Sequence, residues 1–90
     1  MAEITENIVI QNKLGLHARP AALLVQEASK FVSTIEIEND GIKVNAKSIM
    51  GVMMLAAAHG SEIIVTANGD DAEKAIAALR VLIDSKFDEE

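Results

Sequence analysis

Six stretches of this 90-residue chain have one apolar side and one polar side, at two different periods. In Glu3 to Ile10, the residues Ile4, Ile8 and Ile10 fall on one side and Thr5, Asn7 and Val9 on the other. That is the alternation of a half-buried strand, although Glu6 interrupts its apolar side. Thr34 to Glu38 and Ile42 to Ala46 alternate likewise around Asn39-Asp40-Gly41, a tight-turn signal, and so predict a β-hairpin. Glu62 to Ala67 reads as a fourth strand, closed by Asn68-Gly69. Between these runs the period changes: Ala21, Leu24, Val25, Ala28 and Val32 recur at helical steps, as do Ala72, Ala75, Ile76, Leu79, Leu82 and Ile83.

Local signals supply the boundaries. Pro20 falls in the first turn of the earlier helix, where a missing N–H is harmless. Asp70 and Glu73 have the spacing of an acidic capping box before the later one. Ser48 to Ala57 predicts a short helix, capped by Ser48, weakened by Gly51 and ended by His59-Gly60. The last residues, DEE, read as a solvated tail. The order is β-α-β-β-α-β-α, without repeats, low-complexity segments or a linker, and 90 residues suit one domain spanning 1–90. Elements that each carry one apolar side are satisfied by an α+β fold of two layers, with helices on one face of a four-stranded sheet and the other face wet.

Composition narrows what such a domain does. Only Phe31 and Phe87 are aromatic, so the core is aliphatic and single-stranded nucleic acid finds no stacking platform. Eight Lys and Arg against fourteen Asp and Glu give a net charge of −6, the wrong sign for gathering phosphate backbones. The absence of cysteine removes disulfides, thiolate metal sites and thiol nucleophiles, and agrees with a reducing compartment. The opening MAEITEN carries acids where a secretory signal carries bases, so the expected location is the cytoplasm. The longest uncharged apolar stretch, Ile49 to Ala58, is half of the roughly 20 residues that cross a bilayer.

One short stretch concentrates the chemistry. In Leu14 to Val25 (LGLHARPAALLV), His17 and Arg19 stand where the first helix begins. A helix start presents unpaired N–H groups and about half a positive charge, a site for an anion such as phosphate. The same field favours the neutral imidazole, the form with a nucleophilic nitrogen. Arg19 adds a fork of donors suited to phosphate oxygens, and Gly15 can turn the chain sharply ahead of the helix. The pieces describe a histidine poised for N-phosphorylation. Spacing by itself does not separate this from a solvated histidine beside a helix end.

Two further features stand apart. Ile49, Met50, Val52, Met53, Met54 and Leu55 leave the short helix with no polar face, so some of them lie at the surface. Val52 and Leu55 are assigned to the core. Ile49, Met50 and Met53 face outward, with Leu23 extending the patch, and flexible methionines suit a surface that meets several partners. Simple core packing is the competing explanation. His59 reads as a helix-end or exposed residue, and neither histidine has the neighbours of a metal site, so no metal or cofactor is expected.

GLHARPAALLV, followed by SKF and NAKSIMGVMMLA, closely resembles the HPr family of histidine phosphocarriers of the phosphoenolpyruvate:sugar phosphotransferase system, over nearly all of the chain. The resemblance implies an open-faced sandwich with an antiparallel sheet. It implies that His17 is phosphorylated on Nδ1 by enzyme I and passes the group to EIIA proteins or domains, so that the chain is a reactant and not an enzyme. Arg19 matches the arginine that interacts with the phosphohistidine, and Pro20 the proline that starts the helix. Ala18 stands where some members carry a hydroxyl, which leaves its backbone N–H as the phosphate contact. The apolar patch matches the surface that docks enzyme I and EIIA.

KSIMGVM resembles the Gram-positive type, in which the serine corresponding to Ser48 is phosphorylated by an ATP-dependent HPr kinase/phosphorylase. There the phosphoserine form also binds a catabolite-control transcription regulator. Such a phosphate places about two negative charges beside the docking patch and opposes an acidic enzyme I surface. Two other readings stand beside sugar transport: a mainly regulatory interaction module, and the nitrogen-related paralogue. Retention of His17 favours a competent carrier over the first, and the SIMGVM segment favours transport over the second. A protein that docks transiently is most simply a monomer.

Overall fold

The computed structural model describes residues 2–89. In chain order the elements are β1 (Ala2–Val9), α1 (Ala18–Ala28), β2 (Thr34–Asn39), β3 (Ile42–Asn45), α2 (Ile49–Met54), β4 (Glu62–Gly69) and α3 (Ala72–Asp84), followed by a 3-10 turn, Lys86–Asp88. The strands form one antiparallel sheet in the order β1-β4-β2-β3. Strand β1 runs its whole length along β4, from Ala2 opposite Gly69 to Val9 opposite Glu62. The hairpin closes at Asp40 and Gly41, whose φ values of 54° and 83° are the paired left-handed residues of a two-residue turn matched to strand twist.

Alternation decides the faces. Ile8, Ile35, Ile37, Ile63, Val65 and Ala67 are buried under the helices, whereas Thr5, Asn7, Val9, Glu36 and Ile64 face outward. Helix α1 contributes Ala21, Leu24 and Ala28 to the core, and α3 contributes Ala72, Ala75, Ile76, Leu79 and Ile83. This is the open-faced α+β sandwich expected, with one sheet face covered and the other wet. Glu6, which interrupts the apolar side of β1, lies at the sheet edge and meets Arg80 of α3, whose Nε donates at 2.9 Å.

Several boundaries differ from the expectation, each for a local reason. Helix α1 stops at Ala28, and Val32 is 80% exposed beyond it. There the chain is held instead by Asp71, whose carboxylate accepts from Val32 N at 2.9 Å, Ser33 N at 3.0 Å and the Ser33 hydroxyl. Asp71, not Asp70, is the N-cap of α3, and it spends its side chain on that distant segment in place of a capping bond. Helix α2 ends at Met54, because Leu55 caps it and Ala56 turns left-handed at φ 49°. His59 therefore lies exposed in a later turn, where Gly60 N–H bonds Ile10 C=O at 2.8 Å. Gly51, which weakens α2 by propensity, has a packing reason: a Cβ there meets both Ser48 Oγ and Val44 Cβ at 3.3 Å.

Candidate functional site

The site begins with a turn that brings the chain back to the helices. Asn12, fully buried, donates from Nδ2 to Gly15 C=O at 2.8 Å, and Gly15 N–H returns to Asn12 C=O at 3.2 Å. Gly15 takes φ 67° and passes so close to the 57–58 segment that a Cβ would lie 2.4 Å from Ala57 O. Leu16, buried, then donates its N–H to that same carbonyl at 2.9 Å. The chain thus leaves a fixed point and enters α1 at His17.

His17 is the N-cap of α1, extended at φ −76° and ψ −172°, and its carbonyl accepts Ala21 N–H at 3.0 Å. Pro20 follows in the first turn and has no N–H, so the amides that a helix start leaves without a carbonyl one turn back are those of Ala18 and Arg19. No acidic residue lies in that turn. The structure therefore brings His17 and the Ala18 and Arg19 amides to one helix entrance, with Arg19 exposed and near enough for its charge to act on Glu89.

It adds Glu89, one of the terminal residues whose sequence suggests a solvated tail. Glu89 Oε2 lies 2.8 Å from His17 Nε2, and Oε1 takes Asn12 Nδ2–H at 2.9 Å. A carboxylate only accepts hydrogen bonds, so His17 Nε2 carries the proton in this contact. The bond from His17 holds the Glu89 carboxyl below the ordinary glutamate range, helped by Asn12 and by the charge of Arg19, against an opposing effect of burial. The side chains of His17 and Glu89 are 38% and 14% exposed, so the pair is open to solvent on the imidazole side.

Glu89 reaches His17 through an unusual piece of backbone. Lys86, Phe87 and Asp88 have φ values of 58°, 55° and 57°, three consecutive left-handed residues with side chains. Each such residue costs about 1–2 kcal/mol, and burying Phe87 returns about 1.5–3 kcal/mol. Phe87, 0% exposed, is thus an anchor that offsets only part of the cost, and the turn relies on its other bonds. Among them are Asp88 N–H to Ser85 C=O and Glu89 N–H to Lys86 C=O, both 3.1 Å. Gln11 Nε2 also donates to Asp84 Oδ1 at 3.0 Å, so the segment before α1 is tied twice to the segment that ends α3 and follows it. Asn12 and Glu89 were invisible as site residues because their partners lie far along the chain. The one local hint was Phe87, a large apolar side chain among polar neighbours.

Ser48 is the N-cap of α2, and its Oγ accepts Gly51 N–H at 3.1 Å. Val52 and Leu55 are buried as expected, while Ile49, Met50 and Met53 are 41%, 73% and 44% exposed. Met54, at 67%, joins them, and Leu23 is half-buried on α1 against the core. Among the described residues there is no cluster of three side chains that could hold a metal, and no helix is long and apolar enough to cross a membrane.

An open-faced sandwich with a histidine at the entrance of its first helix is what the resemblance to phosphocarriers implied, and the comparisons with known proteins show the family. The family model "PTS HPr component phosphorylation site" matches residues 4–85. Phosphocarrier protein HPr of Treponema pallidum is 48% identical over 87 residues, covering 97% of this chain and 99% of the relative. The crystal structure of HPr from Thermoanaerobacter tengcongensis superposes with a TM-score of 0.90 at 60% identity, covering 100% of this chain and 99% of that one. Crh, a catabolite-repression protein of Bacillus subtilis whose crystal structure is described as a swapped dimer, superposes with a TM-score of 0.74 at 44% identity, over 92% and 95%. The chain belongs to the HPr family, whose members are phosphocarrier proteins and not catalysts.

Proposed function

We propose that this chain is a single-domain cytoplasmic carrier that accepts a phosphoryl group on Nδ1 of His17 from phosphorylated enzyme I and delivers it to EIIA proteins. The observation that carries the proposal is the setting of His17. Its Nε2 is engaged by Glu89, so the nitrogen not used in that contact is Nδ1, beside a helix entrance with open amides and an arginine. In the transfer, the Nδ1 lone pair forms the new N–P bond while the donor's bond to phosphorus breaks and its electron pair leaves with the donor. Arg19 and the Ala18 and Arg19 N–H groups face the phosphoryl oxygens. The exposed patch of Ile49, Met50 and Met53, with Leu23 at its margin, is the surface proposed to dock enzyme I and EIIA.

Incubation with enzyme I and phosphoenolpyruvate is expected to give an acid-labile phosphoprotein, and His17→Ala to abolish it. Undiminished labelling of that variant refutes the assignment. A monomer is the simplest state for such traffic, checked by sedimentation at micromolar concentration.

Similarity to Crh favours a second role, phosphorylation of Ser48 by an HPr kinase/phosphorylase, with binding of the modified form to a catabolite-control regulator. ATP and the cognate kinase should then leave an acid-stable phosphate that is absent from Ser48→Ala. If that adduct forms but sugar uptake in cells is indifferent to His17→Ala, the regulatory role is the principal one.

A further inference from the structure

We propose that Glu89 is a positioning residue for His17: held by Asn12 and by the Phe87-anchored left-handed turn, its carboxylate keeps the imidazole protonated at Nε2 and bare at Nδ1. The inference deepens the proposed function and rests on it for its chemical meaning.

Three independent observations carry it. The 2.8 Å contact falls on Nε2, the ring nitrogen opposite the proposed acceptor. An ionised carboxylate at Nε2 selects the tautomer in which Nδ1 holds the lone pair. Secondly, the carboxylate is itself oriented. Asn12 donates both to Glu89 Oε1 and to Gly15 C=O, which fixes its amide, and its buried Oδ1 has no partner among the described residues. An orphaned acceptor is unfavourable in a buried position, so the amide's placement serves its two donor bonds. Thirdly, the backbone that delivers Glu89 stays left-handed over three residues while Phe87 is sunk into the core. Backbone held in a sparsely populated region persists where surrounding contacts over-determine it.

The chemistry follows from charge. When Nδ1 attacks phosphorus, no proton leaves the ring, which becomes a cation with its remaining proton on Nε2. Glu89 then faces a full positive charge where it had faced a neutral donor, and that bond strengthens as the new N–P bond forms. A group that interacts more strongly with the product-like state than with the starting state accelerates the step.

The test uses the full chain labelled with 15N, with phosphoramidate as a small donor whose N–P bond breaks with release of ammonia. In the unsubstituted protein, with the ring titrated to its neutral form, the shifts should show a protonated His17 Nε2 and a bare Nδ1. Glu89→Ala should move both ring nitrogens toward tautomer-averaged values, speed exchange of the Nε2 proton, and slow phosphorylation by about tenfold. Glu89→Gln, which can still accept the Nε2 proton but has no charge, should recover the ring shifts and not the rate. Gln11→Ala, which cuts only the neighbouring tie to Asp84, should change neither. Ring shifts unaltered in Glu89→Ala overturn the proposal, as does an unaltered rate. Ring shifts that respond in a protein that neither phosphoramidate nor enzyme I can label support the positioning contact and overturn the proposed function.

Discussion

Replacing Gly15 by alanine tests how the site is held, and a second glycine makes the test quantitative. Gly15 and Gly41 both have positive φ, 67° and 83°, so alanine at either carries the left-handed penalty of about 1–2 kcal/mol. Only at Gly15 does the new Cβ meet anything: Ala57 O at 2.4 Å and Ala58 Cα at 2.9 Å, against nothing within 4 Å at Gly41. To reach ordinary contact near 3.4 Å, the carbonyl must retreat by about 1 Å. The bond it accepts from Leu16 N–H is already 2.9 Å, so that retreat breaks it and strands a buried donor, at about 1–3 kcal/mol. Gly15→Ala is therefore expected to lose about 3 kcal/mol and Gly41→Ala about 1 kcal/mol. By urea titration followed by circular dichroism, the midpoints should separate accordingly, and in a thermal scan by roughly 10 °C. Equal losses within 0.5 kcal/mol, roughly the additivity error of such measurements, would refute the close approach of the 12–17 turn to residues 57–58.

Other outcomes follow from the caps and charges. Asp71 is held below its ordinary pKa of 3.8, chiefly by the Ser33 hydroxyl and then by the Val32 amide. A depressed carboxyl contributes stability that is present above the unfolded pKa and lost as pH falls through the folded one, so stability should decline on acidification below about pH 4. Asp71→Asn should flatten that part of the pH–stability curve, and an unchanged slope would remove Asp71 from the account. Ser48→Ala should cost about 1 kcal/mol by loss of the cap to Gly51, a fall of about 4–8 °C in Tm. Ser48→Asp should restore most of it, since aspartate caps as well as serine.

What the sequence made legible was what nearby residues decide. The hairpin follows from three consecutive residues, Asn39-Asp40-Gly41, and the faces of the strands and long helices follow from spacing within each run. His17, Arg19 and Ser48 could be placed at helix entrances for the same reason, because a helix entrance is a local event. The errors came where distant partners decide. Val32 fits the stripe of α1, yet the chain there is captured by Asp71, and Asp71 in turn is diverted from the capping role that spacing had given Asp70. The end of α2 at Met54 depends on Ala56 adopting a conformation that alanine seldom takes, which no propensity foretells. Glu89 was read as solvated because charge and position suggest nothing else until the fold closes 72 residues of separation.

The strand order has a consequence for how the molecule is made. Among the described residues, every strand partner of β1 lies in residues 62–69, and β4 is also the strand that joins β1 to the hairpin. During synthesis, β1, α1 and the hairpin emerge before any segment able to assemble them into one sheet. The first strand must wait, its backbone groups hydrated, until most of the chain has been translated. In that interval the eight pairings it will make are equally available on the β4 of another copy, so fast closure after residue 69 is what keeps each sheet its own.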